Sequence, residues 1–239
     1  ISGRVGRFNI GTLAIHQDAH GDVDASDLLI TRLSANVLSD SRVGFILTDG
    51  DPTSNIDNRV MGTDFQYVNN QFLDDRILQA DVFYQESDTP GLNGDDASYG
   101  FGIRLPQSEC WRTRIGYKVV EENFNPAMGF VNRSDIEDLT ADLGYTHYFD
   151  SGILQTAFAG VDMQRIELLD GGLQSEVFAF RLLELETTSR DTLNVAHYTN
   201  KEVVRQPFTI LRDSDPAKRV VIQPGSYDVM QNGQMEGST

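Results

Sequence analysis

The side chains best suited to hold an ion stand near the start of the chain, in His16-Gln-Asp-Ala-His-Gly-Asp-Val-Asp-Ala-Ser-Asp27. Asp18, Asp22, Asp24 and Asp27 supply the hard oxygen donors that divalent cations take. An EF-hand frame opened at Asp22 puts Asp24 and Ser26 at the next ligand places. Its sixth place is then Asp27 instead of Gly and its twelfth is Leu33 instead of Glu, so the motif fails. His16 and His20 have a spacing that serves a metal on a helix, and this segment reads as loop. The expectation is a solvated acidic loop that holds a divalent cation loosely, with no other cofactor.

Asp49, Asp51 and Asp57, and then Asp88, Asp95 and Asp96, offer carboxylate pairs for glycoside hydrolysis. That chemistry needs two carboxyls about 5–10 Å apart, and turn-forming Asp explains the same positions. Ser134 has no nucleophile-elbow context. Cys110, the single cysteine, lies beside a turn with no paired His and reads as an inert thiol; alone it excludes a disulfide framework or a cysteine-cluster metal site. Asn132-Arg-Ser134 is formally a glycosylation sequon, without meaning in a bacterial host. His147 and His197 fall within strands and read as packing or interface residues. No catalytic residue emerges.

Chemistry of this kind needs elements to position it, and the composition says which. Asp outnumbers Glu 25 to 11 and Arg outnumbers Lys 16 to 3, which disfavours helices and suits strands joined by many turns. The formal charge of −17 on 239 residues argues against a nucleic-acid partner and against a polybasic membrane contact. No apolar run approaches the ~18–20 residues of a transmembrane helix. Ile1 is neither an initiator Met nor the start of a signal peptide, and the chain opens inside a strand pattern. That predicts a processed product or a piece of something larger.

Period-two alternation runs throughout. Tyr99, Phe101, Ile103 and Leu105 alternate with Gly100, Gly102 and Arg104; Trp111, Thr113, Ile115, Tyr117 and Val119 alternate with Arg112, Arg114, Gly116 and Lys118. The pattern predicts eleven strands, at 4–16, 27–38, 42–49, 59–68, 76–86, 97–105, 111–120, 136–148, 153–165, 175–187 and 192–201. Most exceed the ~5–6 residues of a globular strand and match the ~9–11 of a tilted membrane-spanning one. The connections, from 17–26 to 188–191, alternate long and short without exception. An up-and-down meander then gathers the long loops at one edge, as outer-membrane barrels do. Residues 1–201 form this strand region; 202–239, with Pro207, Pro216 and Pro224, are less regular and continue the barrel or its loops, with a further strand at Arg219–Ile222. Arg104, Arg112, Arg114 and Lys118 project opposite the aromatic faces, together with Asp64, Asp81 and Asp142. In a barrel these seven face the lumen, where they compensate one another or select an anionic or sugar-like solute.

Gly3-Arg-Val-Gly-Arg-Phe-Asn-Ile-Gly-Thr-Leu13, Asn58-Arg-Val-Met-Gly-Thr-Asp64, Ser87-Asp-Thr-Pro-Gly91, Asn123-Phe-Asn-Pro-Ala-Met-Gly-Phe-Val131 and Val221-Ile-Gln-Pro-Gly-Ser-Tyr227 carry a family resemblance. Together they are similar to the bacterial outer-membrane β-barrel domain of unknown function that commonly follows a carbohydrate-binding family-nine-like module. The saccharide-binding-like module is absent from this chain, and Gln234–Thr239 lacks the terminal aromatic residue of barrel proteins. The resemblance implies an outer-membrane location, an additional chain or module N-terminal to this segment and an association with saccharide. It implies no catalytic residues.

The expectation is therefore all-β: an antiparallel up-and-down transmembrane β-barrel, partial, in contact with the lipid bilayer and surface lipid. It would act as a surface or transport component. A soluble acidic β-sandwich binding module, calcium-assisted and lectin-like, and an Asp-dependent glycoside hydrolase are the alternatives. The charge distribution favours the first. The eleven strands hold 13 basic and 12 acidic side chains, whereas the rest of the chain holds 6 basic and 24 acidic, which places the acidity at strand ends. A halophilic soluble protein would spread it as a coat.

Overall fold

The structure is a computed structural model that describes residues 1–73, 76–106, 110–205, 207–211 and 220–232. Its regular elements are all strands: β1 (Ser2–Val5), β2 (Phe8–Gln17), β3 (Ser26–Val37), β4 (Ser41–Asp49), β5 (Arg59–Phe72), β6 (Arg76–Asp88), β7 (Ala97–Arg104), β8 (Trp111–Val120), β9 (Ile136–Tyr148), β10 (Leu154–Leu168), β11 (Leu173–Thr187), β12 (Thr192–Val204), β13 (Phe208–Leu211), β14 (Val220–Ile222) and β15 (Gly225–Asn232). Thirteen form one antiparallel up-and-down sheet, in sequence order from β1 to β12 and then β15; β13 and β14 pair as a separate two-stranded sheet. No helix among the described residues is long and apolar enough to cross a membrane, which leaves crossing by strands untouched.

The sheet corrects the sequence expectation in two places. The single strand at 4–16 is two strands, because Gly6 takes a φ of +58° and reverses the chain at Gly6-Arg7, between Val5 and Phe8. The loop expected at 166–174 is a turn over residues 169–172, since the strands run on to Leu168 and resume at Leu173. Asp170-Gly171-Gly172 supplies its chemistry, with both glycines at positive φ. Long and short connections therefore alternate only as far as that turn. Beyond 201, β15 joins the sheet by pairing with β12 from His197↔Asn232 to Val204↔Gly225. The expected turn residues 107–109 and the terminal residues 234–239 lie outside the described residues.

Contacts divide the chain into two compact units, Ile1–Ser108 with Arg114–Glu137 and Glu109–Thr113 with Asp138–Thr239. In the first unit the buried apolar residues Leu28, Val60, Ala97, Val119, Val120, Phe124 and Ile136 gather where the strands meet the long loops. The remainder of its sheet has two contrasting faces. Cross-strand register sets Phe8, Ile10, Leu33, Val43, Phe45, Met61, Val82, Phe101 and Ile115 on one face, each between 38% and 55% exposed. Arg32, Gly44, Gly62, Asp64, Asp81, Gly100, Gly102 and Arg104 fall on the other.

Candidate functional site

The polar face of the first unit is built around glycines. A methyl group added at Gly44 would meet the Asp64 carboxylate at 2.7 Å and the Arg32 guanidinium closer still. Arg32 and Asp64 pair at 2.5 Å over that gap. Asp81 lies over Gly102, at 2.9 Å from where its Cβ would stand, and Gln85 over Gly62 at 2.7 Å. Long polar side chains thus lie flat across neighbouring strands because the neighbour lacks a side chain. Arg104 donates its Nε–H to Gln79 Oε1 at 2.8 Å, and Arg114 stands directly opposite Arg104 in the β7–β8 ladder. Lys118 lies opposite Gly100 on the same face.

In the second unit the polar face carries a tighter constellation. Arg112 pairs through Nη2 with Asp162 Oδ1, and Arg181 Nε lies 2.9 Å from the other oxygen of the same carboxylate. Arg181 also reaches Glu184 at 3.4 Å. Both guanidinium carbons stand over the Phe158 ring, at 5.1 Å for Arg112 and 6.0 Å for Arg181. The ring itself fills the space over Gly144 and Gly160. A bulge explains why these groups share a face. Between Arg181 and Leu183 the register of β11 slips against both neighbours, so Leu182 is an extra residue. Paired without that slip, the same sequence would turn Glu184 the other way; with it Leu182 and Leu183 both join the apolar face, 51% and 37% exposed. Asp142, two residues from Gly144 on β9, shares the polar face by alternation.

Sequence reasoning named Arg112 but missed Asp162, Arg181, Glu184 and Phe158. The available signal was the pair Leu182-Leu183, which breaks period two in an otherwise alternating strand. Asp64 and Arg112 have partners from strands that the sequence alone did not join to them. Arg114 was grouped with Arg112, yet Arg114 belongs to the first unit and Arg112 to the second.

The acidic loop is held by hydrogen bonds among its own and neighbouring groups. His16 and Asp27 are ladder partners with Nδ1 and Oδ1 2.8 Å apart, and Asp18 lies 3.9 Å from the same ring. The Asn55 amide donates to the Asp22 carbonyl at 3.1 Å, while the Asp24 amide donates to Asn55 Oδ1 at 2.7 Å. Among the described residues no three His, Cys, Asp or Glu side chains converge as a metal would require. Of the proposed carboxylate pairs, Asp49 is tied to Arg59 at 3.0 Å. Asp51 accepts from the Thr53 amide, the Thr53 hydroxyl and the Ser54 hydroxyl at 2.6 to 2.8 Å. Burial alone would raise the Asp51 pKa; these donors outweigh it and hold the carboxyl below the usual 3.8.

Beside that turn, the long loop 121–135 is fastened to two other loops through Asn58, which is only 3% exposed. Its amide donates to Thr89 Oγ1 at 2.8 Å and to the Asn125 carbonyl at 2.7 Å, and its Oδ1 accepts from the Ala127 amide at 3.2 Å. Ser87 Oγ accepts from the Asn125 amide at 2.9 Å. Three of the sequence segments that carry the family resemblance, 58–64, 87–91 and 123–131, meet here. Comparison with known proteins returns no match among family models, characterised proteins or solved structures.

Proposed function

We propose that the chain is part of a Gram-negative outer-membrane β-barrel, with its apolar face against lipid and its polar face toward a lumen, serving as a surface or transport component. One observation supports this above the rest: large apolar side chains lie exposed on one face of a sheet whose other face holds paired charges. A soluble monomer rarely leaves apolar patches above a few hundred Å² in water. Along β5 the apolar-face stretch from Met61 to Tyr67 covers six rises of ~3.3 Å, or about 20 Å, close to the ~25 Å apolar band of such barrels.

Aromatic residues support the same reading. In the first unit Tyr84 and Tyr99 stack at 6.3 Å near the long-loop ends of β6 and β7. In the second, Trp111 meets Tyr145 edge-on at 5.0 Å near the short-turn ends of β8 and β9. Amphipathic rings of this kind suit the two membrane interfaces. The association with saccharide rests on the family resemblance alone.

The experiment is extraction and gel mobility. The protein should leave membranes only with detergent, migrate differently when unboiled, and show Trp111 fluorescence quenched by brominated lipid. A folded monomer that is fully soluble without detergent overturns the proposal.

A further inference from the structure

The arginines of the second unit are arranged to receive an anion. A guanidinium has five N–H donors in a planar fork, and stacking on an aromatic face leaves its edge free to donate. Arg112 and Arg181 stack on the same ring, and that ring is seated over Gly144 and Gly160, where a side chain would displace it. Both cations are therefore presented from one fixed platform. Asp162 lies against both of them, and Glu184 reaches Arg181 at 3.4 Å. The Arg112 side chain remains 45% exposed, so part of its fork faces open space above the sheet. The bulge at Leu182 turns Arg181 and Glu184 to the same face.

We propose that Arg112 and Arg181, on the Phe158 platform, form the anion-selecting point of the lumen, a subsite for a carboxylate- or phosphate-bearing solute whose strength is set by Asp162. This rests on the barrel reading and names the solute chemistry that the reading leaves open. Asp162 acts as an internal competitor. It lies against Nη2 of Arg112 and Nε of Arg181 and competes with the solute for both cations, so removing its charge strengthens anion attraction and removing either arginine weakens it.

The test is reversal potential in planar bilayers under a potassium chloride gradient, with inorganic phosphate added as a blocker. Asp162→Asn should raise the chloride-to-potassium permeability ratio by about fivefold, the ratio equivalent to the ~1 kcal/mol of a partly exposed ion pair. Arg112→Gln and Arg181→Gln should lower it by a similar factor and abolish block by phosphate. Arg42→Gln, which removes an equal charge from the first unit, should leave the block intact. Each variant is first checked for heat-modifiable migration, and Phe158→Leu gives a second route that keeps both charges but removes the platform. Insertion and conductance with the same selectivity in all variants overturns the subsite while the barrel stands. Insertion with no conductance overturns the subsite as well. Failure of the parent protein to insert overturns the barrel reading itself.

Discussion

Single residues show how a sheet with little conventional core is held. Asn58 is buried and satisfies three loop groups at once. Asn58→Ala would leave the Ala127 amide and the Thr89 hydroxyl without that partner, at a cost of about 2 kcal/mol. Urea unfolding in detergent measures this, and limited proteolysis within 121–135 should rise in parallel. The glycines make a sharper comparison. A methyl group at Gly100 would stand 2.5 Å from the Tyr117 carbonyl oxygen, whereas at Gly116 the nearest atom is 3.8 Å away. Gly100→Ala should destabilise by roughly 1–3 kcal/mol and Gly116→Ala by much less; equal costs would refute the close-approach argument. Asp51 gives a pH dependence with a definite sign. Its carboxyl titrates lower when folded than when unfolded, so the 51–54 turn is fully supported above pH 3.8 and weakens as pH falls through the lower folded value. Hydrogen exchange at the Thr53 amide, followed downward in pH, should report the loss.

At the level of elements, alternation makes most strands legible in the sequence. A residue pattern of period two needs no knowledge of what the strand touches. The features that escaped are those where one residue changes the count. Gly6-Arg7 reverses the chain with a one-step break that leaves Val5 and Phe8 three residues apart, and Leu182 shifts the register by a single step. The Asn58 network was illegible for another reason, since its partners lie 31 to 69 residues away in sequence. Local pattern carries no information about which loops meet. The bulge yields its own prediction. Deleting Leu182 leaves the other side chains of β11 on their present faces, so folding and insertion should survive. Deleting Phe180 instead sends Arg181 to the apolar face, where under the proposed function a charge costs ~2–4 kcal/mol at mid-membrane. The heat-modifiable band should persist in the first deletion and vanish in the second.

For the whole molecule, the net charge of −17 and the exposed apolar face have to be read together. A soluble acidic protein would set its charge over its apolar surface, whereas here the acidity is concentrated at the strand ends and the apolar band is left bare. Under the proposed function the long-loop edge faces outward, toward phosphorylated surface lipid of the same sign. Divalent cations should bridge the two. Chelation should therefore raise hydrogen exchange in residues 18–25 and 50–58 before it affects the strands, and uniform or absent change would count against the bridge.

The fastening of loops 50–58, 89–96 and 121–135 through one buried amide has a consequence for how this surface can change. Loops that share no contacts can be lengthened, shortened or exchanged independently, and a foreign peptide can be spliced into any of them. Here a graft into one of the three breaks the other two, so they must be transplanted or diversified as a single cassette. The turn at Asp170-Gly171-Gly172 stands outside that linkage, and it is the place to insert an epitope or a tag.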